Sequence, residues 1–220
     1  MKLLVLKNNL FEGLEIAERA IGEGANLPIL KNILLKADGS TIGSVATNLE
    51  LAVSHTIAGK IIEPGEVTVP HRVLMNVVRN LTSDRVTLEH RHPHLNVITD
   101  NYEAAIQTQD AKEFPIIPSI TSQAQTIRIA GEDFAAALAN VAVAVQYSDI
   151  RPEISGIFFN YANEQLTLAG TDSFRLAERV LRHPAIAATT ASAAAIVPIK
   201  TVHELRGESR SDDSRDDRSE

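Results

Sequence analysis

A short run of histidines is the first candidate for chemistry in this sequence. His90, His92 and His94 alternate along the chain, and on a β-strand such residues share one face. Histidines that share a face can bind a metal ion. Pro93 interrupts the strand, however, and no acid completes the set of ligands. We therefore favour an exposed hairpin tip here and predict no metal site.

A polar bend in the second half of the chain suggests a different chemistry, that of binding. Thr171, Asp172 and Ser173 follow a half-buried strand and come directly before Phe174 and Arg175. An Asp after Thr can cap its own backbone, so the bend itself is structural. Phe174 and Arg175 have two interpretations. In the first, Phe174 fills the core and Arg175 is a surface charge. In the second, they form the wall of a peptide-binding groove, where Phe174 gives an aromatic surface and the Arg175 guanidinium offers several N–H donors to backbone carbonyls or an acidic ligand. Spacing alone leaves both open.

Motifs for covalent or phosphate chemistry are absent from the sequence. The chain has no Cys, which excludes disulfides, thiol catalysis and thiolate metal sites. It has no nucleophile elbow, no phosphate-binding loop and no HExxH zinc motif. Ser173 has no positioned histidine beside it. We therefore expect a protein that is not an enzyme and that needs no cofactor.

The overall composition is that of a globular protein with no membrane partner. Of the 220 residues, 44 % are hydrophobic and 22 % are charged, enough for one large or two ordinary domains. The net charge of −7 argues against a nucleic-acid binder, although an acidic protein can still carry a basic face. No apolar run is long enough for a signal peptide or a membrane span. Together with the lack of cysteine, this predicts a cytoplasmic protein.

Composition also divides the chain into three parts. Residues 113–126 contain two prolines and a run of small polar residues, which indicates a linker. The last segment, Gly207–Glu220, has six acids, three arginines and no hydrophobic residue, which predicts disorder. We predict a first domain at residues 1–118, an incomplete second domain at residues 126–206, and a disordered charged tail at residues 207–220.

The two halves repeat one pattern of elements. A constant shift of 124 residues places the amphipathic helix around Leu14 on the helix around Leu138, and Thr47 on Thr171. The order helix, strands, helix occurs in both halves. We therefore predict an α+β fold, in which each copy packs two helices on one side of an antiparallel sheet.

The second copy of the repeat is shorter than the first. The first continues about forty residues past Pro70, whereas the second has about nine residues after Pro198 before the charged tail begins. We expect the strands that should follow its second helix to be missing. A fragment, a frame-shifted product and a natural short form all remain open as explanations.

Several motifs, taken together, resemble one protein family. They are LPILKNILL, ATNLELAV, EFPIIP, RPEISGIFF and GTDSFRLAERVL. In this order and spacing they are similar to the β sliding clamp, the processivity subunit of bacterial DNA polymerase III. The segment Thr171–Ala177 looks like that family's Thr-Asp-Gly-His-Arg-Leu-Ala. The resemblance covers residues 1–206.

The resemblance implies both an architecture and a mechanism. The family has three similar DNA-clamp domains per subunit, and two subunits form a ring that encircles duplex DNA. The replicative polymerase, the clamp loader and repair proteins insert short linear peptides into a groove between the second and third domains. The subunit itself is non-catalytic. A ring that slides cannot read bases, so its contacts with phosphates are diffuse and independent of sequence.

Residue by residue, the resemblance assigns three surfaces. The implied partner-peptide groove contains Ile154, Thr171, Ser173, Phe174, Arg175 and Leu176. The candidate DNA-facing residues are Arg72, Arg79, Arg151, Lys200 and Arg206. The implied subunit-interface edge contains Ala104, Ile106 and Thr108.

Departures from the family pattern lead to two further expectations. Ser173 and Phe174 stand where the family has Gly-His, which makes the groove narrower and more apolar. The other wall of the groove and the third domain are absent from these 220 residues. We therefore expect weak peptide recognition and no stable homodimer ring from this chain alone. The alternative function is a clamp-like peptide-binding or decoy module that does not encircle DNA.

Overall fold

The computed structural model describes residues 1–22, 27–118, 126–148, 150–182, 186–190 and 192–207. The chain separates into two compact units, unit one at Met1–Pro118 and unit two at Ser119–Glu220. Residues 119–125 of the predicted linker and residues 208–220 of the predicted tail lie outside the described residues.

Unit one is built from two antiparallel sheets and two helices. Two short 3-10 turns, Pro28–Lys31 and Ala111–Glu113, complete it. Its helices and strands are β1 Lys2–Leu6, α1 Lys7–Glu18, β2 Asn32–Asp38, β3 Thr41–Thr47, β4 Ala52–Ile57, β5 Gly59–Glu63, β6 Gly65–Pro70, α2 His71–Asn80, β7 Arg85–Arg91, β8 His94–Ile98 and β9 Glu103–Gln107. One sheet has the order β4-β3-β2-β6 and the other β5-β1-β7-β8-β9.

The hydrophobic core of unit one joins its helices to both sheets. Leu10, Leu14 and Ala17 recur at helical spacing on the buried face of α1, which packs against β3, β4 and α2. The opposite face of α1 is polar. The side chain of His71, at the start of α2, is buried and hydrogen bonds through Nε2 to the Leu14 carbonyl at 2.9 Å. This bond ties the two helices together at one point.

Unit two repeats part of this arrangement. A 3-10 turn at Pro152–Ile154 precedes its main sheet. Its helices and strands are β10 Ile127–Ile129, α3 Gly131–Ala142, β11 Gly156–Ala162, β12 Gln165–Thr171, β13 Leu176–Arg182, β14 Ile186–Ala188, β15 Ser192–Pro198 and α4 Ile199–Leu205. The main sheet has the order β13-β12-β11-β15, and β10 pairs with β14. Its core includes Leu138 and Val141 from α3, Ile157 and Leu168 from the sheet, and Val202 from α4.

The predicted repeat is confirmed at the level of elements. Adding 124 to the bounds of α1, β2 and β3 gives residues 131–142, 156–162 and 165–171, which are the bounds of α3, β11 and β12. Pro28 and Pro152 each begin a 3-10 turn, and Thr47 and Thr171 each end a strand. The amphipathic pattern was therefore a true internal repeat, and the α+β prediction was correct.

Both units contain two antiparallel sheets, where the sequence pattern predicted one for each. In unit one, strand β1 is an interior strand of the second sheet, where it pairs with both β5 and β7. Its five residues are too few for a strong alternating pattern, and its partners lie far away in sequence. In the described part of unit two, this second sheet has two strands, β10 and β14, where unit one has five.

Candidate peptide-binding site

The bend after β12 is fixed by a compact set of hydrogen bonds. Thr171 Oγ1 donates to the Arg175 carbonyl at 2.7 Å and accepts from the Ser173 amide at 3.1 Å. Asp172 Oδ1 accepts from the amides of Phe174 and Arg175, both at 3.0 Å. Ser173 takes a positive φ of 77°, a conformation that costs energy for a residue with a side chain. The side chains of Thr171 and Asp172 thus hold the backbone in a shape that it would otherwise rarely adopt.

Unit one contains the same bend at the equivalent place. Thr47 Oγ1 donates to the Leu51 carbonyl at 2.9 Å, and Asn48 Oδ1 accepts from the Glu50 and Leu51 amides at 3.0 and 2.7 Å. Leu49 has a φ of 75°, close to that of Ser173. The structural role predicted for the polar bend is therefore confirmed in both copies.

The bend in unit two presents two apolar side chains to solvent. Phe174 is 97 % exposed and Leu176 is 71 % exposed, so neither is part of the core. The interpretation of Phe174 as core filling was therefore wrong. An exposed aromatic beside an exposed leucine on a rigid bend can bind an apolar side chain of a partner.

The charged side chains next to Phe174 pair with each other within the bend. The Arg175 guanidinium contacts Asp172 Oδ2 through Nε at 2.9 Å, with most of the arginine side chain still exposed. Arg175 keeps further N–H donors, because a guanidinium has five. The bend therefore combines an apolar surface with a cation held in a defined orientation.

The 3-10 turn before β11 lies against this bend. Arg151 Nη1 donates to Ser173 Oγ at 3.2 Å, and Ile154 is half-buried in the same turn. Ser155 Oγ donates to the carbonyls of Ser148 and Arg151 at 2.9 and 3.1 Å, which fixes the turn. The structure thus places Arg151, assigned above to the DNA-facing set, beside Ser173.

The other candidate DNA-facing residues lie on or next to helices. Arg72 and Arg79 are exposed and seven positions apart on α2, so they share one face, and the Arg79 guanidinium carbon lies 6.0 Å from the centre of the Phe11 ring. Lys200 Nζ lies 3.9 Å from the centre of the Tyr147 ring in a cation–π contact. Arg206 is half-buried at the end of α4.

The helices also carry negative charge. Three exposed glutamates, Glu12, Glu15 and Glu18, lie on α1, and Glu132 and Asp133 occupy the first turn of α3. In each unit these carboxylates lie on the helix that contacts the one with the basic side chains, so they oppose phosphate binding there.

The residues of the predicted interface edge lie on or next to the last strand of their sheet, with their side chains turned inward. Strand β9 does lie at the edge of its sheet, but Ile106 and Thr108 are buried and Ala104 is half-buried. Alternate residues of a strand face opposite sides, and these three share the inward side. Thr108 Oγ1 donates to the Pro93 carbonyl within unit one at 2.9 Å. The outward side of β9 carries Glu103, Ala105 and Gln107 instead.

The histidine run forms the hairpin tip that was predicted. Arg91 of β7 pairs with His94 of β8, and His92 and Pro93 form the turn between them. His92 and His94 are exposed, whereas His90 is half-buried. Across the described residues, no group of three or more His, Cys, Asp or Glu side chains is arranged to hold a metal ion.

Asp172 is the residue of this site that sequence reasoning left out of the groove set. Its carboxylate accepts the Phe174 and Arg175 amides and contacts the Arg175 guanidinium. The signal was present in the repeat, because Asn48 occupies the same position in unit one and makes the same backbone bonds. A side chain that organises both bends is a positioning residue for Phe174.

The same contacts lower the pKa of the Asp172 carboxyl below its ordinary value, chiefly through the backbone amides of Phe174 and then Arg175. A carboxyl whose pKa is lower in the folded state stabilises the fold fully above its unfolded-state pKa. That contribution is lost as the pH falls through the folded-state pKa. A pH below the ordinary pKa of aspartate should therefore protonate Asp172 and weaken its hydrogen bonds to the Phe174 and Arg175 amides, which loosens the bend.

We expect Asp172→Asn to remove this pH dependence while keeping the bend, because Asn48 makes the same bend in unit one with a neutral amide. The measurement is an NMR pH titration of the Phe174 and Arg175 amide signals. In the unaltered chain the chemical shifts of these amides should change as the pH falls below the ordinary pKa of aspartate. In the variant they should stay constant over the same pH range. Equal shifts in both proteins would show that another group controls the bend.

Comparison with known proteins identifies the fold and its family. The family model for the DNA polymerase III beta subunit, N-terminal domain, matches residues 1–118, and that for the central domain matches residues 128–215. The chain belongs to the DNA polymerase III beta subunit family. The resemblance that we inferred from the motifs is thereby confirmed.

Individual beta subunits are similar over most of this chain. The beta sliding clamp of Streptomyces coelicolor is 28 % identical over 208 residues, which are 93 % of this chain and 54 % of that protein. The crystal structure of the DNA polymerase III subunit beta from Pseudomonas aeruginosa covers 94 % of this chain and 56 % of its own, with a TM-score of 0.79 and 24 % identity. The chain thus spans about half the length of these beta subunits.

A third relative was crystallised with a peptide. The structure of the Helicobacter pylori beta clamp bound to a DNA ligase peptide has a TM-score of 0.79 and 20 % identity to this chain. The match covers 94 % of this chain and 58 % of that one. These structural matches confirm the clamp fold.

Among the helices of this beta-subunit chain that the structure describes, none is long and apolar enough to cross a membrane.

Proposed function

We propose that this chain functions as part of a DNA sliding clamp, an assembly that confers processivity on a replicative polymerase by encircling duplex DNA and docking partner peptides. The proposal rests on membership of the beta subunit family. One observation carries it, the exposure of Phe174 and Leu176 on a bend that hydrogen bonds hold rigid. The role is non-catalytic, and its place is the cytoplasm, where bacterial replication occurs.

Peptide docking is the part of this function with the best structural support. An apolar side chain of the partner would pack on Phe174, Leu176 and Ile154, while Arg151 and Arg175 offer N–H donors to its backbone carbonyls. Thr171 and Ser173 shape the bend. The Helicobacter pylori beta clamp was crystallised with a DNA ligase peptide, which supports peptide docking as a function but not the choice of residues. The polymerase, clamp loader and repair proteins are the proposed partners.

DNA contact in this proposal is electrostatic and independent of sequence. Arg72 and Arg79 share one exposed face of α2, and Lys200 and Arg206 add positive charge at α4. Basic side chains that reach phosphates release counterions, so binding weakens steeply with salt. The helices carry few basic side chains, and α1 carries acidic ones. We therefore propose that the protein contacts the phosphates weakly enough to slide, within the homodimer ring of the family.

A second candidate function is a peptide-binding or decoy module that does not encircle DNA. One observation favours it. The described part of unit two has two strands where unit one has five in the equivalent sheet. Both functions use the same peptide groove, so they differ only in ring closure.

Ring closure is tested by retention on DNA. We expect these 220 residues alone to dissociate equally fast from nicked circular plasmid and from the same plasmid after linearisation. A closed ring cannot leave a circle but slides off an end, whereas a protein held by charge alone leaves both. The measurement is gel filtration of the protein with each DNA at two salt concentrations. Selective retention on the circle would contradict this expectation and establish the encircling form.

A further inference from the structure

A hydrogen bond between two exposed side chains joins the turn before β11 to the bend after β12. Arg151 Nη1 donates to Ser173 Oγ at 3.2 Å, and both residues are exposed. The bond uses one of the several N–H donors of the guanidinium, so the others can still reach a ligand. A long exposed side chain would otherwise sample many rotamers. The serine hydroxyl thus restricts the guanidinium to positions next to the bend.

The backbone of Arg151 is fixed from the opposite side. Its amide donates to Ser148 Oγ at 3.2 Å, and its carbonyl accepts from Ser155 Oγ at 3.1 Å. Ser155 is buried, so this anchor belongs to the folded turn and not to a mobile surface. The base of the arginine is therefore held by the turn, and its exposed end is held by Ser173.

Ser173 keeps its side chain at a conformational cost. The bonds that hold the bend use the side chains of Thr171 and Asp172 and the backbone amides of the three residues that follow. The Ser173 hydroxyl makes none of those bonds. Its φ of 77° would suit a glycine without strain. Strain of this kind persists where the side chain serves a function, and here the hydroxyl contacts Arg151.

Unit one shows that the bend forms without this polar pair. Subtracting 124 from the numbers of Arg151 and Ser173 gives Leu27 and Leu49. Leu27 precedes the equivalent 3-10 turn, and Leu49 has a φ of 75° in the equivalent bend. Both leucines are exposed and neither side chain can form a hydrogen bond. The pair of Arg151 and Ser173 is therefore a feature of the surface of unit two and not a requirement of the fold.

We propose that Ser173 is a positioning residue for peptide recognition, whose hydroxyl holds the Arg151 guanidinium where it donates to backbone carbonyls of the bound peptide. The inference rests on the proposed peptide-docking function and adds the device that orders one of its donors. Without the hydroxyl, the guanidinium would have to be ordered during binding, and the entropy lost in that step would lower the affinity.

Two substitutions separate the hydroxyl from the backbone strain. Ser173→Gly and Ser173→Ala both remove the hydroxyl, so each should weaken binding of the DNA ligase peptide by about three- to tenfold. Only the glycine variant relieves the strain, so its urea midpoint should rise while that of the alanine variant should not. Isothermal titration and urea denaturation provide the two measurements. Unchanged or tighter peptide binding in either variant would overturn the proposal.

Leu49→Gly is the matched control for the glycine variant. It relieves the same strain in the bend of unit one, so it should raise the urea midpoint and leave the peptide affinity unchanged. An equal loss of affinity in this control would show that glycine in a bend, and not the missing hydroxyl, weakens binding, and the proposal would fail.

A double-mutant cycle tests whether the hydroxyl acts through the arginine. Arg151→Met removes the guanidinium and keeps an unbranched apolar stem. In that background Ser173→Ala should cause no further loss of affinity, because the group that the hydroxyl orders is gone. Losses that add in full would mean that Ser173 acts independently of Arg151, which would overturn the positioning role.

Phe174→Ala distinguishes failure of this inference from failure of the proposed function. If Phe174→Ala loses affinity while both Ser173 variants bind as the unaltered chain does, the peptide site stands and only the positioning role is overturned. If the unaltered chain does not bind the peptide, or Phe174→Ala binds it equally well, the proposed function fails and this inference fails with it. Weaker binding of duplex DNA by the Ser173 variants, at unchanged peptide affinity, would also overturn the inference and assign Arg151 to DNA.

Discussion

Replacing Gly170 by alanine is expected to destabilise unit two by about 1–3 kcal/mol. Gly170 lies in β12 directly before the bend and faces α3. A Cβ at this position would lie 3.1 Å from Val141 Cγ1 and 3.3 Å from the Val141 carbonyl oxygen, and it would collide with Val145 Cγ2. Valine is stiff at χ1 and the helix backbone cannot yield locally, so strand and helix would have to move apart.

Urea denaturation of the variant measures this effect, and Gly43→Ala is the matched control. Gly43 also lies within a strand, but the atom nearest to its added Cβ is the Lys36 carbonyl oxygen at 3.9 Å. The control should therefore keep or slightly raise the free energy of unfolding, because glycine weakens strands. Equal losses in both variants would mean that close packing on α3 is not what Gly170 provides.

Phe174→Ala and Leu176→Ala are each expected to weaken binding of the DNA ligase peptide by well over tenfold. If each side chain buries about 100 Å² of apolar surface with its partner, the loss is about 2.5 kcal/mol at roughly 25 cal/mol per Å². Because Phe174 is 97 % exposed, its removal should leave the free energy of unfolding almost unchanged. Lost affinity in a stable variant would then report the contact itself.

Isothermal titration of the peptide into each variant provides the measurement, with Leu49→Ala as control. Leu49 is 63 % exposed on the equivalent bend of unit one, so its removal deletes a comparable apolar side chain outside the proposed groove. The control should bind the peptide as the unaltered chain does. If Leu49→Ala weakened binding as much as Phe174→Ala, the peptide would not be specific for the bend in unit two.

Local chemistry explains the part of the fold that the sequence could predict. The faces of α1 and α3 follow from helical spacing of residues such as Leu14 and Leu138, and the bends follow from Thr-Asn and Thr-Asp pairs that bond to their own backbone. Each of these two signals comes from residues that are only a few positions apart in the sequence. They could therefore be read without knowing which strands pair, and the repeat made them stronger.

Pairing between distant segments explains the part that could not be predicted. The interior position of β1 in its sheet depends on β5 and β7, more than fifty residues away along the chain. The inward orientation of Ile106 and Thr108 depends on the register of β9, since a shift of one residue would turn both outwards. The contact of Arg151 with Ser173 depends on the bend that brings the serine to its guanidinium. None of these contacts has a local signature.

The most direct test of the central claim, that the bend in unit two docks partner peptides, is to map the binding site by NMR. The ¹⁵N-labelled chain is titrated with the unlabelled DNA ligase peptide. The amides of Ile154 and of residues 171–176 should shift progressively, while those of residues 47–52 in unit one should stay in place. Shifts confined to unit one or to residues far from this bend, or no shifts at a saturating peptide concentration, would contradict the claim.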